Sequence, residues 1–263
     1  MANLGAAAGW GLVVAASLLA GALAAALLRL PERVAAIATS FGGGILFAAI
    51  ALELVPEADA GAGPALTALG LLAGTLVYVG ADAWLSRDPK MDEMRRMGHA
   101  AAAGRPMSDM AVPDAPAAAD HSAAARGESI AVGIFVDGVP ESVALGLTVA
   151  EGEVGLALLA GILLGNVVEA YGAAQPIIAG GHTRRFAVVL LTLIGFALAF
   201  ATVLGGTVLA AASPALIGTA EAIAAGAVLA VVSIAIVPHA YKEVSGMVAA
   251  ATVLGFIAGY LLS

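Results

Sequence analysis

Long apolar stretches alternate along the chain with short polar connections. A helix that crosses a bilayer takes about 20 predominantly apolar residues, and eight such spans are predicted, at 4–28, 34–55, 65–86, 128–149, 154–178, 186–211, 216–238 and 246–262. The connections are short except one, 87–127, which is rich in Ala, Pro and Asp. The first apolar run is longer than a signal-peptide core and has no basic residue before it; Arg29 and Arg33 follow it instead. That order predicts a retained first span with its N-terminus outside.

Within the spans, Gly70 and Gly74, Gly161 and Gly165, and Gly255 and Gly259 are four apart. Small residues at that spacing let helix backbones approach closely, for packing inside one chain or, as the alternative, in a dimer motif. Basic residues test the topology. With the N-terminus outside, the inner connections follow spans one, three, five and seven. All 11 Lys and Arg fall there: Arg29 and Arg33, then Arg87, Lys90, Arg95, Arg96, Arg105 and Arg126, then Arg184 and Arg185, then Lys242. Both termini are therefore expected outside, with the protein in a plasma or inner membrane.

Composition narrows the function classes. Hydrophobic residues make up 61% of the 263 positions and charged residues 11%, with a mean hydropathy of +1.01. Soluble domains carry about 25% charged residues. There is no cysteine, which excludes disulfides and thiolate metal sites. Scattered basic residues give no nucleic-acid footprint. No Gly-rich phosphate loop ending in Gly-Lys-Ser/Thr is present, so nothing supports ATP-driven pumping by this chain. In the 87–127 segment, Met91, Met94 and Met97 recur at near-helical spacing beside the isolated His99 and His121. The composition is that of a flexible cytoplasmic linker; soft-metal sensing is the alternative.

The acids inside the spans carry the chemistry. Asp137 and Glu141 are four apart in span four, on one helical face. Each charge at bilayer depth costs roughly 2.5–3.5 kcal/mol, and two on one face repel. A bound cation relieves both. Pro140 adds a backbone carbonyl, that of Val136, without its usual helical donor. Span five contributes Asn166 and Glu169, three apart. Four oxygen-bearing side chains suit a divalent metal. Two internal echoes accompany them: 52–58 (Leu-Glu-Leu-Val-Pro-Glu-Ala) against 234–240 (Ile-Ala-Ile-Val-Pro-His-Ala), and 137–141 against 165–169. They predict an all-α polytopic membrane protein of about eight transmembrane helices in a 3+2+3 inverted repeat, a common transporter plan, forming a single domain over 1–263.

Asp-Gly-Val-Pro-Glu-Ser at 137–142 resembles the His-Asn-x-Pro-Glu-Gly signature of the ZIP (Zrt/Irt-like) metal transporters. Gly-Asn-Val-Val-Glu-Ala at 165–170 is similar to its fifth-helix counterpart, and Val-Pro-Glu-Ala at 55–58 to the family's Leu-Pro-Glu-Ala. The resemblance implies inward transport of a divalent cation of the zinc, iron or manganese class, and a homodimer. It implies no enzyme activity and no resident cofactor, the metal being cargo. Asp137 would stand for the first motif histidine, Glu141 and Glu169 for the motif glutamates, and Asn166 for a polar ligand. Both motif histidines are absent, replaced by Asp137 and Gly165; Gly138 replaces the motif asparagine and Ser142 the glycine. Span six has no ionisable residue beyond its inner end, so one metal rather than two is expected. Losing imidazole shifts the site toward hard ligation.

Other polar residues fit a pathway or plain interfacial roles. Glu53 and Glu57 flank Pro56 at the outer end of span two, as an entrance funnel or an interfacial cap. His239 and Glu243 lie at the inner end of span seven, as an exit station or ordinary interfacial groups. Asp82 is either solvated or paired with Arg87. Glu221 reads as a first-turn acid of span seven. The competing functions are an intramembrane hydrolase using paired acids, against which stands the absence of His-Glu-x-x-His, and a metal-binding relative that does not transport.

Overall fold

The computed structural model describes residues 2–28, 31–85, 134–135, 138–150, 152, 154–179, 182–208 and 212–263. The 87–127 segment, the start of span four and Asp137 lie outside these. Among the described residues all regular structure is helical: α1 (Ala2–Leu27), α2 (Glu32–Ala49), a first π-turn (Ile50–Leu54), α3 (Val55–Ala62), α4 (Pro64–Leu85), α5 (Gly138–Ala150), α6 (Leu156–Ala179), α7 (Arg184–Val208), α8 (Pro214–Val231), a second π-turn (Val232–Ile236), α9 (Val237–Val244) and α10 (Met247–Leu262). Six of the described helices are long and apolar enough to cross a membrane, and α5 and α10 are shorter apolar helices. This is the helix inventory of a multi-pass membrane protein.

Prolines mark where two of the rods change pitch. Pro56 was expected to close span two near residue 55, yet the helix runs on to Ala62. The widened turn before the proline explains it: Val55 N–H bonds the carbonyl of Ile50, five residues back. Pro56 then falls in the first turn of α3, where no backbone donor is needed. The second rod repeats the device, with Val237 N–H on the carbonyl of Val232 and Pro238 next. Each rod stops at a positive φ, at Gly63 (φ 79°) and at Ser245 (φ 46°). The echo at 52–58 and 234–240 thus spans the same local structure twice.

Packing is made by small residues, as expected where lipid is as apolar as any side chain. A Cβ on Gly44 would meet the carbonyl oxygen of Thr252, and one on Gly255 that of Phe41. Between α4 and α8 the pattern recurs: Gly74 against Ile223 O, and Gly226 against Leu71 O. Helices α1 and α7 exchange similar contacts, Gly11 with Ala199 and Gly195 with Ala15. Finally, Gly21 fits against Val167 of α6, and Gly205 against Val143 of α5. This matches 143 with 167, one helical turn away from the register of the 137–141 and 165–169 echo. A shift of four residues keeps the same face of the helix in contact.

The contacts also fix helix directions. Along α1 and α6, Ser17 pairs with Asn166, Gly21 with Val167 and Leu28 with Tyr171, so the two run parallel. Helix α2 runs against α6, with Gly42 near Gly165, Leu46 near Gly161 and Glu53 near Ala157. It runs parallel to α10, with Phe41 near Gly255 and Ile45 near Gly259. The start of α1 and the end of α10 therefore lie at one end of the bundle. Large apolar side chains such as Leu69, Leu76, Phe196, Phe200 and Leu261 point outward, the side that a bilayer solvates.

Candidate functional site

Helix α5 shows two distinct faces. Gly138 and Gly146 both abut α7: a Cβ on Gly138 would lie 2.6 Å from Leu198 Cδ1, and one on Gly146 would meet Thr202 O. Ser142, midway along this stripe, is fully buried, and its Oγ has no hydrogen-bond partner among the described residues. Leu198 closes the position that in the resemblance carries an asparagine. Glu141 sits one residue off the stripe, about 100° round the helix, and is only 6% exposed. The α7-facing stripe is thus made of small residues and tightly closed, whereas the acid lies on a neighbouring face.

Helix α6 is built in a comparable way. Gly161 faces α2 through Leu46, and a Cβ on Gly42 of α2 would lie 3.7 Å from the Gly165 nitrogen. Glu169 lies one turn beyond Gly165 and is 8% exposed. Asn166, 2% exposed, faces α1 and donates through Nδ2 to Ser17 Oγ at 3.1 Å. Ser17 gives its own proton to Val14 O at 2.7 Å. Its oxygen can then only accept, so the NH₂ end of the Asn166 amide must point at it. That leaves Oδ1 free to turn elsewhere as an acceptor or ligand. Beside Gly165, where the resemblance has a histidine, nothing described lies within 4 Å of a Cβ.

Among the described residues no three His, Cys, Asp or Glu side chains form a group that could hold a metal. Asp137, the remaining acid of the expected set, is outside them. Two outer acids separate by role. Glu53 is buried in the first π-turn, and its two oxygens accept the N–H groups of Ala157 and Leu158, each at 3.1 Å. Glu57 is half-buried one turn further on. Nearby, a pocket of about 520 Å³ opens between α3 and α4, lined in part by Pro56, Asp59, Pro64 and Thr67. The side chains of His239, Glu243 and Asp82 lie outside the described ones, although their backbone is helical.

Glu221 departs from expectation. Helix α8 begins at Pro214 behind an extended Ser213 (ψ 151°), and its first turn holds no acid. Glu221 lies two turns in and is 0% exposed. One face of its helix is gripped, Gly218 against Ala58 and Ala62, and Ala222 against Gly70. A hydropathy window averages such an acid away; only the small residues at 218 and 222 hint that this face is a contact.

No protein-family model matches the chain, and no curated protein matches it.

Proposed function

We propose that this protein carries a divalent metal cation across the membrane as a divergent transporter of the ZIP type. The observation that carries the reading is the burial of Glu141 and Glu169, 6% and 8% exposed, on the two helices α5 and α6. Carboxylates at that depth are functional by default. Asp137, Glu141, Glu169 and the Asn166 Oδ1 would replace the hydration shell of the ion, and the negative charges would balance its charge. An all-oxygen set favours hard or borderline ions, manganese(II) and iron(II) ahead of zinc. With Leu198 against Gly138, the site takes a single ion.

The proposed architecture is the 3+2+3 inverted repeat of eight transmembrane helices, with both termini outside and cations moving inward. It is supported by the paired π-turns and by the reciprocal glycine contacts of α2 with α10 and of α4 with α8. Such repeats rock against each other around a fixed midplane site, so transport needs no ATP from this chain. The test is uptake of manganese(II) and zinc(II) into vesicles carrying the purified protein. Wild type accumulates metal, Glu141→Ala does not, and Asp137→His shifts preference toward zinc. Uptake by Glu141→Ala at the wild-type rate would overturn the reading.

A further inference from the structure

Glu53 makes an unusual connection. The N–H groups of a helix's first turn have no partner inside the helix, and a short polar side chain just before it usually serves them. Before α6 stands Gly155, which has no side chain, and the first turn of α6 has no acid of its own. Glu53, from the first π-turn, takes that role: Oε1 accepts Ala157 N–H and Oε2 accepts Leu158 N–H. Both acceptors belong to a carboxylate, which bonds more strongly than a neutral group and favours the positive end of the helix dipole. Ala157 and Leu158 are fully buried, so water cannot substitute. A Cβ on Gly155 would strike Glu53 Oε2; the glycine is what lets another helix's carboxylate in. At the matching place in the second π-turn stands Ala235, which has no oxygen to offer.

We infer that Glu53 is a positioning residue that ties the start of α6 to the π-turn of the α2–α3 rod. The two move as one body, and the tie sets the height of Asn166 and Glu169 along the bundle. Its consequence for transport rests on the function proposed above; its geometry does not. A cap alone would be replaceable from within α6, and a tie would not. Replacing Glu53 by alanine removes the two closest atoms to a Cβ on Gly155, the next being Leu158 Cβ at an ordinary 3.5 Å, and Gly155 has no positive φ. Glu53→Ala/Gly155→Asp therefore restores a local cap without the tie.

The experiment compares wild type, Glu53→Ala and the double variant by melting temperature, by KM for manganese(II) uptake, and by disulfide formation between Leu46→Cys and Gly161→Cys. The chain has no cysteine of its own, and a Cβ at 161 would lie 3.3 Å from the Leu46 nitrogen. Glu53→Ala lowers the melting temperature, raises KM about tenfold or more and slows the cross-link. The double variant regains the melting temperature but neither KM nor the cross-link. Recovery of all three would reduce Glu53 to a cap, and wild-type KM and cross-linking in Glu53→Ala would remove the tie. If Glu53→Ala does not fold, the double variant decides by the same readouts. If Glu141→Ala takes up manganese like wild type, the transport reading falls, and the cross-link alone decides the tie.

Discussion

Ser17 is not among the proposed metal ligands, yet replacing it should weaken metal binding. Its Oγ holds the Asn166 amide at 3.1 Å while its proton is committed to Val14 O. Ser17→Ala removes an interhelical hydrogen bond, worth about 0.6 kcal/mol on average in membrane helices. It also leaves a buried NH₂ without a partner, which raises the cost to about 1–3 kcal/mol. For a chain of this size, each kcal/mol lowers the melting temperature by about 2–4 °C. The functional loss is larger. Without its anchor the amide can turn its NH₂ toward the ion, and loss of an orienting partner typically costs about 10–100-fold in metal affinity. The assay is KM for manganese(II) uptake beside a thermal melt, with Ser17→Thr, which keeps the hydroxyl, as control. If Ser17→Ala keeps the wild-type KM while Asn166→Ala raises it, Ser17 does not orient the ligand.

The remaining predictions concern packing and selectivity. Gly226→Ala drives a Cβ into the Leu71 backbone and should cost about 1–3 kcal/mol; Gly80→Ala, with open space around it, should be neutral or stabilising in the same melt. Ser142→Ala removes a buried hydroxyl that lacks a partner among the described residues and should stabilise by about 1 kcal/mol, read as a higher melting temperature. At Gly165 a Cβ meets nothing within 4 Å among the described residues, so Gly165→His should change the melting temperature little. Its imidazole should raise zinc-over-manganese selectivity about tenfold, or about 1.4 kcal/mol, in a competition uptake assay.

Helical spans were legible because bilayer length and apolarity leave few alternatives. The stretch predicted at 246–262 corresponds to Met247–Leu262. The extension past Pro56 was not legible, because it depends on a π-turn whose bonding no local pattern announces. The cap on α6 was also hidden: its acceptor lies in Glu53, more than a hundred residues away, and the only local trace is a glycine where a capping residue belongs. Glu221 was misplaced because α8 starts earlier than hydropathy suggested, and the grip of Ala58, Ala62 and Gly70 comes from other helices. The acids at 141 and 169 were visible as charges in apolar surroundings. The anchor on Asn166 was not, since Ser17 is an ordinary helix serine until α1 and α6 are brought together.

The central claim is that Glu141 and Glu169 hold the transported cation between them. Equilibrium binding of manganese(II) to purified protein tests it without any assumption about transport direction. Glutamine in place of each glutamate keeps its shape and removes its charge. Wild type should bind manganese saturably, each single substitution should weaken binding by at least about tenfold, and Glu141→Gln/Glu169→Gln should abolish it. Binding by the double variant with wild-type affinity would contradict the account.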